Sequence, residues 1–239
     1  MKLGDFSTLT FDCYGTLIDW ETGLLQALAP LLARHGRHVE DERILAAFGE
    51  AESAAQQRAP AKRYPEILGD ALDALAAQWD IALDPAERQR FGGSVGEWPA
   101  FGDSAGALAY LARHYRLVIL SNVDRDSFIG SQEKLGVAFD RIFTAQDIGS
   151  YKPDPRNFRY MLEALGRDGI APAQVLHVAQ SLFHDHVPAK QLGLATVWVN
   201  RRAGKPGSGA TPPAQARPDW EVTSLAELAE LHRRSGARS

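Results

Sequence analysis

Leu9 to Trp20 reads "LTFDCYGTLIDW", a strand, a turn and the start of a helix in quick succession. Leu9, Thr10 and Phe11 are β-formers. Gly15 and Thr16 break the strand, and Asp19 or Thr22 can cap the helix that follows. Asp12 is the oddity, a carboxylate set where an apolar strand ends. Two residues on stands Tyr14, where a second carboxylate would help the first to hold a metal.

Downstream of this stretch two textures alternate. From Gly23 to about Trp98 the chain is alanine-rich, with apolar residues at spacings of three and four, as in "ERILAAFGEAESAAQQ" and "YPEILGDALDALAAQWD". Elsewhere short β-rich runs are each followed by a helical pattern: "LTFDCY", "RLVILSN", "RIFTAQD", "QVLHVAQ" and "LATVWVN". Strands alternating with helices predict an α/β fold with a parallel sheet covered on both faces. The helical block is then an insertion after the first strand. It predicts a core of residues 1–19 and 99–239 and an all-helical domain of residues 20–98. "AGKPGSGATPPAQARPDW" reads as a long loop before the last helix, "SLAELAELHRR".

Composition limits what such a protein does. The chain has 239 residues, 45% of them hydrophobic, and a formal net charge of −4. That is enough to bury a sizeable core, and nothing in the charge predicts a nucleic-acid partner. One cysteine, Cys13, cannot form an intrachain disulfide. No basic-then-apolar leader and no apolar run near ~18 residues is present, so no membrane association is expected and the expectation is a cytoplasmic protein.

In an open parallel sheet, ligands bind beyond the carboxyl ends of the strands. Polar residues collect at those ends here: Asp12, Ser121 and Asn122, Lys152 in "GSYKPDP", and Asp185 just past "VLHVAQSLFHD". One such acid could be only a helix cap. Several on one rim must compensate one another, because buried charge needs partners. His184 and His186 flank Asp185 but, two apart, point to different sides and predict no shared metal. His184 is expected as a pocket wall. Tyr64, Trp98 and Phe101 could line a pocket, although aromatics are more often core. Asp124 and Asp126 read as helix-start acids.

"FDCYGTLID", "LSNVD", "YKPDP" and "HVAQSLFHD", in this order, resemble the four motifs of the haloacid dehalogenase superfamily. The resemblance runs from Phe11 to about Arg201. It implies a Rossmann-like core with an inserted helical cap and a small-molecule substrate between them. It also implies Asp12 as nucleophile, Lys152 as the cation orienting it, and Ser121 and Asn122 as substrate or leaving-group binders.

Most members of that superfamily are magnesium-dependent phosphatases with a second Asp two residues after the nucleophile. Here that position is Tyr14, and a commonly acidic position of the fourth motif is Gln180. Magnesium asks for several hard oxygens, so no metal and no cofactor is expected. The resemblance is closer to the L-2-haloacid dehalogenases, whose first motif also carries that Tyr. It implies attack by Asp12 on a halogen-bearing carbon, then hydrolysis of the aspartyl ester with Asp185 as base or orienter. Lys152 is expected to lower the pKa of Asp12. Tyr14, Thr16, Ser121, Asn122, Gln180, Ser181 and His184 are the expected substrate-binding residues, for a haloacid-like carboxylate. Those dehalogenases cradle the halide with a cap arginine near "AAFGEAES", where none stands; Arg34, Arg43, Arg58 and Arg63 are the nearby candidates. Two other readings stay open: a phosphatase of a small phosphorylated metabolite, and a non-enzymatic binding protein on the same fold. A homodimer is an option for its assembly.

Overall fold

The structure is a computed structural model and describes residues 1–205 and 207–236. The first strand, β1 (Thr8–Phe11), is buried along its whole length, as a strand covered on both faces must be. From it the chain enters α1 (Trp20–Arg34), α2 (Asp41–Arg58), α3 (Tyr64–Gln78) and α4 (Pro85–Gly92), then a short 3₁₀ turn at Ser94–Glu97. Among the described residues no sheet strand falls between Trp20 and Trp98. The remainder alternates: α5 (Ser104–Leu111), β2 (Arg116–Ser121), α6 (Arg125–Leu135), β3 (Arg141–Thr144), α7 (Ala145–Ile148), α8 (Arg156–Arg167), β4 (Val175–Ala179), α9 (Val187–Gln191), β5 (Ala195–Val199), β6 (Trp220–Val222) and α10 (Leu225–Gly236).

The six strands form one parallel sheet in the order β3-β2-β1-β4-β5-β6. The order reverses between β1 and β4, so the crevice of the doubly wound fold opens at the carboxyl ends of those two strands. Register brings the ends level: Phe11 pairs with Ile119 on one side and Val178 on the other. Asp12, Ser121 and Ala179 therefore leave the sheet side by side.

The helical segment is held by its own apolar stripe. Leu24 and Leu28 of α1, Leu45 and Phe48 of α2, and Leu68, Leu72 and Leu75 of α3 are all buried. Each contributes roughly 1.5–3 kcal/mol relative to exposure. Phe48 meets Trp20 and Phe91 edge-on at 6.0 and 6.2 Å. The segment also packs on the sheet side of the molecule. A Cβ on Gly49 would lie 2.2 Å from the carbonyl oxygen of Ala210, so α2 meets the loop before β6 backbone to backbone. Arg63 donates to Asp124 at 3.1 Å and Asp126 at 2.5 Å, and Tyr151 donates to the carbonyl of Lys62 at 2.7 Å.

Two sequence expectations change. The stretch read as a loop up to Trp220 ends in β6, an edge strand pairing only with β5; three residues are too few for an alternating pattern to register. The stretch after "VLHVAQS" begins with one wide helical turn, Leu182–His186, before α9 starts. Ser181 caps that turn, its Oγ accepting from the backbone N–H of His184 at 2.9 Å. No helix of the described residues is long and apolar enough to cross a membrane.

Candidate active site

Lys152 is the centre of the site. Its side chain is 1% exposed, and its ammonium donates to Asp12 Oδ1 at 2.9 Å, to Asp185 Oδ1 at 2.6 Å and to the carbonyl of Leu120 at 2.9 Å. All three N–H groups are thus used. The loop carrying Lys152 is tied to β2 by Asn122, whose amide accepts from the Lys152 N–H at 2.7 Å and donates to its carbonyl at 3.0 Å.

Asp12 is held from its other side by Thr16, whose hydroxyl donates to Oδ2 at 2.7 Å and accepts from the Gln180 N–H at 2.9 Å. This works because the chain turns sharply at Gly15. Its φ of +89° suits glycine, and a Cβ there would sit 3.0 Å from Trp20 Nε1. Asp185 is held by His177 of β4, with Nε2 3.0 Å from Oδ1, while Nδ1 lies 2.9 Å from the Thr10 hydroxyl. The second Asp185 oxygen, Oδ2, is buried without a hydrogen-bond partner.

Electrostatics separate the two acids. Burial pushes the Asp12 carboxyl above its ordinary range, and the Asp185 charge adds to this; Lys152 and Thr16 pull the other way without winning. Burial also acts on Asp185, but there Lys152 and His177 overcome it and hold the carboxyl well below the usual range. Asp185 is therefore the firmly charged partner and Asp12 the more basic one. Burial pushes His184 and His186 down to about 4, so both imidazoles are neutral near pH 7.

A cavity of about 40 Å³ opens over this cluster. On the sheet side it is lined by Asp12, Lys152, Asp185, Asn122 and the Gln180–Ser181 pair. Tyr14, Trp20, His184 and Thr211 close its flanks. The helical segment supplies the facing wall: Glu52 and Gln56 of α2 and Tyr64 of α3. Tyr64 donates to Glu52 Oε1 at 2.6 Å. A larger groove of about 730 Å³ runs between α1 and α4 but includes none of the strand-end residues.

The profile of the haloacid dehalogenase-like hydrolases matches residues 6–185. The chain belongs to the haloacid dehalogenase-like hydrolases. It is 30% identical over 172 residues to an (S)-2-haloacid dehalogenase of Pseudomonas sp. (strain YL), covering 70% of each chain. With (S)-2-haloacid dehalogenase 1 of Pseudomonas sp. (strain CBS-3) it shares 26% over 235 residues, 92% of this chain and 94% of the other. The solved L-2-haloacid dehalogenase PA0810 superposes with a TM-score of 0.79 at 26% identity, covering 97% and 99% of the two chains.

The donor set of this hydrolase does not fit a magnesium ion, which asks for several hard oxygens. Tyr14 turns its hydroxyl to Ser131 at 3.0 Å, and Gln180 brings an amide whose Oε1 accepts from Thr211 at 3.2 Å. Lys152 already stands between the two remaining carboxylates. Among the described residues no group of three His, Cys, Asp or Glu could hold a metal.

Of the ten sequence-predicted site residues of the hydrolase, eight line the cavity: Asp12, Lys152, Asp185, Tyr14, Asn122, Gln180, Ser181 and His184. Thr16 and Ser121 do not line it. Thr16 is fully buried behind Asp12, and Ser121 keeps a buried hydroxyl without a partner. Lys152 does lower the Asp12 pKa as expected, but burial, with Asp185 adding to it, outweighs that effect and the net shift is upward. Asp124 caps α6, its carboxylate accepting from the N–H and hydroxyl of Ser127. Of the suggested pocket aromatics Tyr64 lines the cavity, whereas Trp98 is buried against Gly23 and stacks edge-on with Tyr14 at 5.7 Å, and Phe101 lies under Arg201 at 4.0 Å. None of Arg34, Arg43, Arg58 and Arg63 lines the cavity, and all four are exposed.

Sequence reading missed His177, Glu52 and Gln56. His177 had a signal, being the one ionisable residue inside the strand "VLHVA". Glu52 and Gln56 had one too. They continue the buried spacing of Leu45, Phe48 and Gly49 along α2, so they face inward although polar.

Proposed function

We propose that this hydrolase cleaves the carbon–halogen bond of small 2-haloacids, with residues 20–98 acting as a cap over a core of 1–19 and 99–239. The observation that carries this is the ammonium of Lys152 lying between Asp12 and Asp185 in a site that lacks the extra carboxylates of a magnesium phosphatase. Such a site suits a leaving group that departs as an anion without a metal. The named relatives are (S)-2-haloacid dehalogenases, and the small cavity suits a short acid.

In this reading Asp12 forms a bond to the halogen-bearing carbon as the carbon–halogen bond breaks, and the electron pair leaves with the halide. Lys152 orients Asp12, and Thr16 supports it from behind. Asn122, Gln180 and Ser181 hold the substrate carboxylate, with Tyr14 and His184 as walls. Water held at Asp185 Oδ2 then attacks the Asp12 carboxyl carbon. Asp185 takes a proton from the water and returns it to the leaving oxygen as the acyl–oxygen bond breaks; a 2-hydroxy acid leaves, the water oxygen stays in Asp12, and the remaining proton goes to solvent.

The test is halide release from a panel of 2-haloacids in chelator, beside hydrolysis of an aryl phosphate with magnesium. Halide release indifferent to chelator is expected. Phosphate release dependent on magnesium, without halide release, would establish the phosphatase instead.

A further inference from the structure

In the haloacid reading the departing group leaves Asp12 into the cavity that Asp12 shares with α2 and α3. Among the described residues the wall made by these two helices offers no cation. Gly49 of α2 lies against the Ala210 backbone, where no side chain fits. What the wall offers instead is Glu52, Gln56 and Tyr64. Tyr64 commits its hydrogen to Glu52 Oε1 at 2.6 Å, and Glu52 Oε2 has no hydrogen-bond partner among the described residues. Gln56 is 6% exposed and makes no hydrogen bond there either. Both residues line the cavity, so these atoms are open to whatever occupies it.

An ionised Glu52 only accepts hydrogen bonds and would repel a departing anion, whereas a protonated one donates from Oε2. Resting on the haloacid reading, we propose that protonated Glu52 and the Gln56 amide donate hydrogen bonds to the departing halide, in the place of a cation. As Asp12 bonds to carbon, the carbon–halogen bond breaks and both electrons go to the halide. Glu52 keeps its proton, and the halide leaves as the anion.

The surroundings agree. Burial raises the Glu52 carboxyl to about 7, against a smaller opposing effect of the Tyr64 hydrogen bond. The groups facing it are Tyr64 on α3, Tyr151 beside Tyr64 with ring centroids 6.5 Å apart, and Tyr14, His184, Asp12, Asp185 and Lys152 around the cavity. The tyrosines are neutral, burial keeps His184 neutral, and Lys152 is bound to both aspartates. The sign follows: Glu52 is a donor below about pH 7 and is lost as one when pH rises through that value.

Single-turnover halide release from 2-chloro and 2-fluoro acids, from roughly pH 5.5 to 9, tests this on wild type, Glu52→Gln and Glu52→Ala. Wild-type release should fall about tenfold per pH unit above the Glu52 transition. Glu52→Gln keeps a donor and should stay within about tenfold of the acidic plateau while losing that alkaline fall. Glu52→Ala should lose on the order of 10²-fold, more for fluoride than chloride; if it does not fold, the Gln variant decides. An alkaline fall unchanged in Glu52→Gln, or a flat wild-type profile, overturns the donor role and leaves the haloacid reading standing. Wild type that releases no halide from any acid overturns that reading, and the donor role with it.

Discussion

The two walls of the cavity are built on opposite principles. The sheet wall is charged and tightly bonded: Lys152 uses every donor, and Thr16, His177 and Leu120 complete the cluster. Among the described residues the helical wall holds no positive charge and leaves Glu52 Oε2 and the Gln56 amide open to the cavity. Burying ions is costly unless each is paired, so the first wall tolerates little change. Neutral donors at the second can be exchanged with less disruption. On the proposed function the sheet wall carries the displacement at Asp12, and the helical wall the choice of leaving group.

Substitutions can break that contrast. The largest effect is expected from Asp12→Asn, which removes the proposed nucleophile and should cut turnover on the order of 10⁵-fold or more; haloacid turnover at wild-type level, with the amide intact by mass spectrometry, would refute the assignment. Lys152→Met should cost about 3–5 kcal/mol of stability in denaturant titration, because two buried carboxylates lose their cation. On the proposed mechanism activity requires ionised Asp12 and should fall as pH drops through its already raised pKa. Losing Lys152 should therefore move the acid limb of the rate profile to higher pH.

Asp185→Asn should act on one half-reaction. Halide release should persist while ester hydrolysis slows on the order of 10²-fold, so that an adduct on Asp12 accumulates and is seen by intact-protein mass spectrometry. The smallest effect belongs to the seating of the helical wall. Gly49→Ala forces a Cβ against the Ala210 carbonyl and should cost about 1–3 kcal/mol, read as a lower Tm. An unchanged Tm would show that α2 does not press on that loop.

The same contrast governs what was legible in the sequence. Asp12, Lys152 and Asp185 follow strands whose apolar runs are plain, and the ends of parallel strands converge by topology. The parallel sheet and the helical insert follow from the change of period between "LTFDCY" and the alanine-rich block. Glu52 and Gln56 depend on how α2 rotates about its axis against the sheet side. Their spacing places them on the buried face with Leu45 and Phe48, but that this face meets the strand-end site is set by packing such as Gly49 on Ala210, which spacing alone does not give. His177 stood out as the one ionisable residue inside its strand, but its role rests on Asp185, eight positions on, which only the fold brings to it. The direction of the Asp12 shift also needed burial, since charge sign alone pointed the other way.

The claim that Asp12 itself becomes esterified is tested most directly by one turnover in heavy-oxygen water with enzyme in excess. Attack of water on the Asp12 ester should place the label in the peptide that contains Asp12 and leave the first 2-hydroxy acid unlabelled. Label in that first product, with Asp12 clean, would mean that water strikes the substrate directly and would contradict the account.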